Sequence, residues 1–260
     1  AATKTVPYVM DGTKRYRFTL RFGEARDTDD ADGAVVESID ERPTDARINA
    51  EIGAFQGDIM QIPPIFSAIK VNGERAYDLA REGRAPVLEP RPARIDRFAL
   101  VERPDADTAV FEVESGKGVY MRSLARDLAR ACGSLGHIAT LRRLRVGPFV
   151  EADAVALEAL SADSADALLA VETALGDIPP LAVMPAEAIG LRQGQAISLV
   201  ALMGRIPAAA DPEGGLARAM ANGRLVGLCR LSDGLLRPER MFCTGSAPSR
   251  RRTVSASAGQ

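Results

Sequence analysis

Hydrophobic and polar positions alternate strictly from Tyr16 to Phe22. Tyr16, Phe18, Leu20 and Phe22 share one face, and Arg17, Thr19 and Arg21 share the other. That period of two predicts a half-buried antiparallel strand. An acidic loop comes next and closes at Asp32-Gly33, a turn signal, before Val35 and Val36 restart an extended segment. The period changes at Asp45 to Phe55, where Ile48, Ile52 and Phe55 stand four and three apart, which predicts a helix. Gln61 to Val71 is apolar and marked by proline, so it reads as an extended loop or strand. Asn72-Gly73 predicts a two-residue hairpin, and Ala76 to Arg81 a short helix stopped by Gly83.

A second alternating run, Val110 to Glu114, predicts another strand, broken by Ser115-Gly116-Lys117-Gly118. A helix is expected from about Met121 to Cys132, with Gly133 as its C-terminal cap. Leu124, Leu128 and Ala131 form its apolar stripe, and Arg122, Arg126 and Arg130 form a basic one. Leu141 to Phe149 reads as a strand, and the Ala- and Leu-rich stretch from Ala152 to about Asp177 as helices. Ile178-Pro179-Pro180 marks a boundary. Beyond it, Leu191 to Ala201, Arg224 to Leu231 and Leu235 to Phe242 read as a small all-β set, with a loop at Ala208 to Gly215. Gly245 to Gln260, with Arg250, Arg251 and Arg252, is expected to be a disordered tail.

Composition narrows the chemistry. Of 260 residues, 46% are hydrophobic, enough for a substantial core, and no run approaches the ~18 apolar residues of a membrane span. A single histidine, His137, excludes sites built on two. It follows Gly136 in apolar company and reads as a structural residue rather than a base. Cys132, Cys229 and Cys243 lie far apart and form no CxxC, which argues against a disulfide framework and a cysteine zinc site and fits a reducing cytosol. No metal site is expected.

The net charge of −2 hides a segregation. Gly23 to Asp58 carries eleven acidic residues against Arg26, Arg42 and Arg47. Ser115 to Gly147 carries seven basic residues against Asp127 alone. Such a cluster can neutralise phosphates, although on charge alone a solvated helix face is the commoner explanation. Fitting Asp27–Gly33 to a calcium loop puts Thr28 and Ile39 where acidic ligands should stand, so that motif fails. Gly116-Lys117-Gly118 lacks both the third glycine of a dinucleotide fingerprint and the ending of a P-loop. No nucleophile elbow supports Ser-His-Asp chemistry. Tyr120 stands where the glycine loop meets the basic helix, and a ring beside phosphate-binding cations suits base stacking.

Three segments together resemble the bacterial tRNA pseudouridine synthase B family. They are Lys14-Arg15-Tyr16-Arg17 through Arg26–Gly33, Gln61-Ile62-Pro63-Pro64-Ile65-Phe66-Ser67-Ala68-Ile69-Lys70 through Tyr77, and Ser115–Leu124 through Leu141-Arg142-Arg143. The match covers about residues 1 to 180, and a weaker one likens the C-terminal stretch to a PUA-type RNA-binding domain. The resemblance implies an α+β pseudouridine synthase fold, a mixed, largely antiparallel sheet with flanking helices, over residues 1–180. It also implies a small β-rich PUA-like domain over 181–244. The implied reaction converts uridine 55 of the tRNA T loop to pseudouridine without a cofactor, by base flipping and an aspartate nucleophile. In that light Tyr16 matches the tyrosine that packs on the flipped base and assists removal of the C5 proton. Arg122 matches the arginine that pairs with the catalytic aspartate, and Tyr120 matches a tyrosine lining the pocket. Lys70, Lys117, Arg126, Arg130, Arg142 and Arg143 are the expected RNA contacts.

One departure is large. The family's Gly-x-Leu-Asp-Pro-type segment, which carries the nucleophile, is not found, and Ala2-Thr3-Lys4 looks like the stretch directly after it. None of Asp27, Asp29, Asp30 or Asp32 matches that residue. The expectation is a cytoplasmic, monomeric protein that binds the tRNA T arm and is itself catalytically silent. The alternative is a non-catalytic RNA-binding protein that keeps the synthase platform. A third reading is an α/β domain with a fortuitous basic helix.

Overall fold

The computed structural model describes residues 2–84, 86–161 and 164–242. The expected tail and Cys243 lie outside the described residues. The chain divides into two compact units, one built from residues 9–156 and one from 1–8 with 157–260.

In chain order the first unit's elements begin with helix α1 (Val6–Asp11), which runs into it, and strand β1 (Lys14–Phe22). A small hairpin of β2 (Glu24–Arg26) and β3 (Val35–Ser38) comes next, then α2 (Asp45–Ile52) and β4 (Gly57–Gln61). The chain continues with β5 (Lys70–Val71), β6 (Glu74–Arg75), α3 (Ala76–Arg81), β7 (Arg91–Glu102) and β8 (Thr108–Ser115). Helix α4 (Met121–Ala131), β9 (Gly136–Val146) and β10 (Phe149–Val150) complete it. Six strands form an antiparallel sheet in the order β10-β9-β1-β8-β7-β4.

The alternation in β1 places this sheet. Phe18, Leu20 and Phe22 are buried on its core face, and Phe18 stacks on Phe111 of β8 at 5.4 Å between ring centroids. On the other face Arg15 and Arg17 clamp Glu112 at 2.6 and 2.5 Å. Those two hydrogen-bonded guanidinium groups hold the Glu112 carboxyl below the usual carboxylate range. Helix α4 covers the core face with Leu124 and Leu128 fully buried. It comes so close that a Cβ on Gly136 would stand 2.8 Å from both the Ala129 Cβ and the Leu20 Cδ1. Thr44 caps α2, accepting from the Arg47 N–H at 3.2 Å. The Asn72-Gly73 hairpin forms as expected, with φ of 53° and 92° at its two turn residues, a conformation that favours glycine.

The second unit holds β11 (Pro180–Ala182), α5 (Pro185–Arg192), β12 (Ile197–Ser198), β13 (Leu216–Ala221), β14 (Arg224–Ser232) and β15 (Leu235–Met241). Its sheet runs β11-β13-β14-β15-β12, with only the β11–β13 pair parallel. Leu181, Leu191, Leu231 and Leu236 form one core, and Leu175, Leu225, Leu228 and Phe242 a second.

Two expectations need correction, and one long strand is missed. Residues 152–177 form short 3-10 turns rather than α-helices among the described residues. Helix-favouring composition without an apolar stripe gives no face to bury, and Leu157 and Leu168 are both 77% exposed. Leu191 to Ala201 begins as the end of α5, which starts on Pro185, where proline's missing N–H costs nothing. Periodicity does not reveal twelve-residue β7, because Pro92 and five charged residues mask its alternation.

Candidate functional site

Two segments of opposite charge meet at the head of α4. Arg122, in its first turn, donates from Nη1 to the Thr28 carbonyl at 2.9 Å and to Asp30 Oδ2 at 3.0 Å. Its Nη2 donates to the Phe66 carbonyl at 2.7 Å. One turn on, Arg126 Nη1 pairs with Asp29 Oδ2 at 2.9 Å, both side chains only 14% exposed. Arg126 also holds Asp127 at 2.8 Å and the Ile62 carbonyl at 3.0 Å. A planar guanidinium with several fixed donors suits such a junction, because it can bind two or three chain segments in one geometry.

The acidic loop is shaped to meet these donors. Asp29 adopts a left-handed φ of 60°, and its carbonyl accepts the Ile138 N–H at 3.1 Å, which docks the loop against β9. Thr28 Oγ1 donates to Asp30 Oδ1 at 2.7 Å, and Asp27 Oδ1 accepts the Ala34 N–H at 2.9 Å. Arg26 donates to the carbonyls of Ala31 and Gly33. Burial raises the Asp29 carboxyl above its ordinary value, while the Arg126 charge and hydrogen bond pull it back.

Tyr16 keeps its core-facing parity on β1 and is half-buried, packed against the cluster that contains Met121 and Leu124 of α4. Val113 and Arg143 flank it on the neighbouring strands. The Arg143 guanidinium lies over its ring, 5.4 Å from the centroid, a cation–π contact. Tyr120 occupies the N-cap position of α4, immediately before Met121.

The other expected basic residues are distributed outward. Lys117 pairs with Asp11 at 2.6 Å, both well exposed, and Arg142 pairs with Glu151. Lys70 and Arg130 are exposed. Arg126, grouped by sequence with them, is instead committed to Asp29, Asp127 and Ile62. His137 is 2% exposed, its Nδ1 against the Glu24 carbonyl at 3.1 Å, and burial lowers its pKa.

Sequence reasoning treats the acidic loop and the basic helix as separate features, so it misses Asp29 and Asp30 as partners of Arg126 and Arg122. The signal is there to be read. Two consecutive acids in a tight loop match two arginines spaced i, i+4 on one helix face.

Family models match the chain along its length. Residues 1–121 match the TruB family pseudouridylate synthase N-terminal domain. Residues 122–178 match the tRNA pseudouridylate synthase B C-terminal domain, and 179–242 the C-terminal domain of pseudouridine synthase II TruB. The tRNA pseudouridine synthase B of Gluconacetobacter diazotrophicus is 68% identical over 248 residues, spanning 93% of this chain and 81% of that protein. That of Gluconobacter oxydans is 54% identical, spanning 93% and 76%. Among solved structures, a Cbf5-Nop10-Gar1 complex gives a TM-score of 0.66 at 20% identity, over 92% of this chain and 69% of that one, which shows a shared fold. Such identity to the curated synthases, along nearly the whole sequence, places this chain in the tRNA pseudouridine synthase B family.

Proposed function

We propose that these residues form the base-binding side of a tRNA uridine-55 pseudouridine synthase. The carrying observation is the three-point hold on Arg122 at the head of α4, in the unit where Tyr16 faces the core. The uridine leaves the T-loop stack at a cost of about a few kcal/mol and enters beside Tyr16. An aspartate attacks the nucleoside and the N1–C1′ bond breaks. The uracil turns, C5 bonds to C1′ as the bond between the aspartate and the sugar breaks, the C5 proton leaves and N1 takes up a proton. Tyr16 supports the base and assists that proton's removal, Tyr120 lines the pocket, and Arg122 orients the nucleophilic carboxylate by charge-assisted hydrogen bonds. No cofactor takes part.

The nucleophile is not among residues 1–260 in this reading, because no Gly-x-Leu-Asp-Pro-type segment occurs in them. Lys70, Lys117, Arg130, Arg142 and Arg143 contact phosphates of the T arm, and Arg126 serves the acidic loop. The β-rich unit, residues 181–244 in this reading, adds RNA contacts, and the protein works as a cytoplasmic monomer. The test combines two assays on the chain. It is expected to bind tRNA more tightly than a tRNA lacking its T arm, and to release no tritium from tRNA labelled at uridine C5. Equal affinity for the two RNAs refutes the T-arm assignment. Tritium release refutes the missing nucleophile.

The second reading, a platform for RNA binding only, rests on the same missing motif. It predicts that an otherwise matched chain supplied with the Gly-x-Leu-Asp-Pro segment stays silent, whereas the synthase reading predicts turnover.

A further inference from the structure

Residues 61–66 leave the end of β4 and are tied to the first turns of α4 at several points. Ser123 Oγ donates to the Ile62 carbonyl at 2.8 Å, beside the Arg126 contact to the same oxygen. Gln61 makes the most specific tie. Its Nε2 donates to the Tyr120 carbonyl at 3.1 Å, and its Oε1 accepts the Tyr120 N–H at 2.8 Å. One primary amide thus satisfies both backbone groups of one residue, as a neighbouring strand would. Gln61 is only 3% exposed.

The recipient needs that support. Tyr120 is the N-cap of α4, extended at φ −98° and ψ 110°, and a tyrosine side chain makes no capping bond there. Its carbonyl also accepts the Leu124 N–H at 3.0 Å, the bond that opens the helix. The amide of Gln61 therefore fixes the point where extended chain becomes helix. Tyr120 precedes that point, and Arg122 lies two residues beyond it.

We propose that Gln61 is a positioning residue for the base pocket. By fixing the Tyr120 main chain, it sets the direction of the Tyr120 ring and the start of the turn that carries Arg122. The inference rests on the proposed role of Tyr120 and Arg122 as pocket residues. Gln61→Met fills the same space without either bond.

The test has two arms, both on the chain 1–260. In the first, amide hydrogen exchange is read in the free protein. Gln61→Met is expected to speed exchange at Tyr120 by about tenfold or more, with Leu128 in the same helix unchanged. General destabilisation would speed both. Tyr120 exchange equal to the parent's overturns the proposal, as does an equal acceleration at Leu128. In the second arm, a T-arm RNA carrying 5-fluorouridine at the target position is bound, and the 19F line of the bound base is followed. Gln61→Met is expected to reduce that line by about tenfold, while overall affinity, carried by phosphates, stays within about twofold. An unreduced line overturns the proposal. If the parent itself gives no distinct bound line, the pocket assignment fails, and the exchange arm still decides whether Gln61 fixes Tyr120. Gln61→Asn, one methylene too short to reach both groups, gives the same readings if Gln61→Met does not fold.

Discussion

Helix α4 carries three arginines at i, i+4 and i+8, and they do two different jobs. Arg122 and Arg126 have side chains 23% and 14% exposed and are held by carboxylates of the acidic loop. Arg130, at the far end of the same stripe, is exposed. The residue type and the helix face are the same, but the surroundings differ. Desolvation makes a guanidinium costly to leave unpaired, so both inner arginines tie chain segments together, Arg122 in addition to its proposed role toward the nucleophile. The outer one keeps its charge in solvent, where it can reach a polyanion. A count of positive charge therefore overstates the RNA footprint unless the facing loop is considered.

The largest expected effect comes from breaking the inner pair. Arg126→Ala leaves Asp29 buried without its cation and should cost about 3 kcal/mol in chemical denaturation. Arg130→Ala should change stability by no more than about 0.5 kcal/mol. Equal losses would erase the distinction. A double-mutant cycle of Arg126→Ala with Asp29→Asn should give a coupling of about 1–3 kcal/mol, and near-zero coupling would show that the pair is incidental. Next in size is Gly136→Ala, whose added Cβ would press on Ala129 and Leu20. Pushing α4 off the sheet should cost about 1–3 kcal/mol and shift both inner arginines together. An unchanged melting temperature would mean that the helix is not held at this distance.

The outer set gives smaller effects on stability. Arg142→Ala removes only an exposed pair with Glu151 and should cost less than about 1 kcal/mol, while lowering the salt slope of tRNA binding by about 1. An unaltered slope would remove Arg142 from the phosphate-binding set. The smallest effect is a pH dependence at His137. Burial lowers its pKa below 6.5, so the unfolded chain binds the proton more readily. Its contribution is then fully present above that value and is lost as pH falls through the window below it. Denaturation midpoints should fall on acidification from pH 7, and His137→Gln should flatten that trend. A trend of the opposite sign would contradict a buried neutral imidazole.

Much of the fold can be read from periodicity, and the exceptions have physical causes. The alternation in β1 and the stripe in α4 are legible because each buries one face against the other's core. Residues 152–177 read as helical on composition alone, and the described residues among them form no buried stripe to hold a helix in place. The start of β9 is hidden because Gly136 and His137 look like loop residues. They enter the strand because α4 packs tightly on Gly136 and the Glu24 carbonyl satisfies His137. Within the site, Tyr16, Tyr120 and Arg122 could be named from the resemblance. Their supports, Asp29, Asp30 and Gln61, could not, because each acts across more than fifty residues of sequence, through interactions that only folding creates.

The division between inner and outer arginines is tested most directly by the salt dependence of T-arm RNA binding. The slope of log K against log salt is measured for the parent, for Arg126→Ala and for the combined Arg130→Ala, Arg142→Ala and Arg143→Ala variant. The account predicts the parent slope for Arg126→Ala and a slope shallower by about 0.9 for each phosphate that the triple variant no longer neutralises. The same slope for the parent and the triple variant, or a shallower one for Arg126→Ala alone, would contradict it.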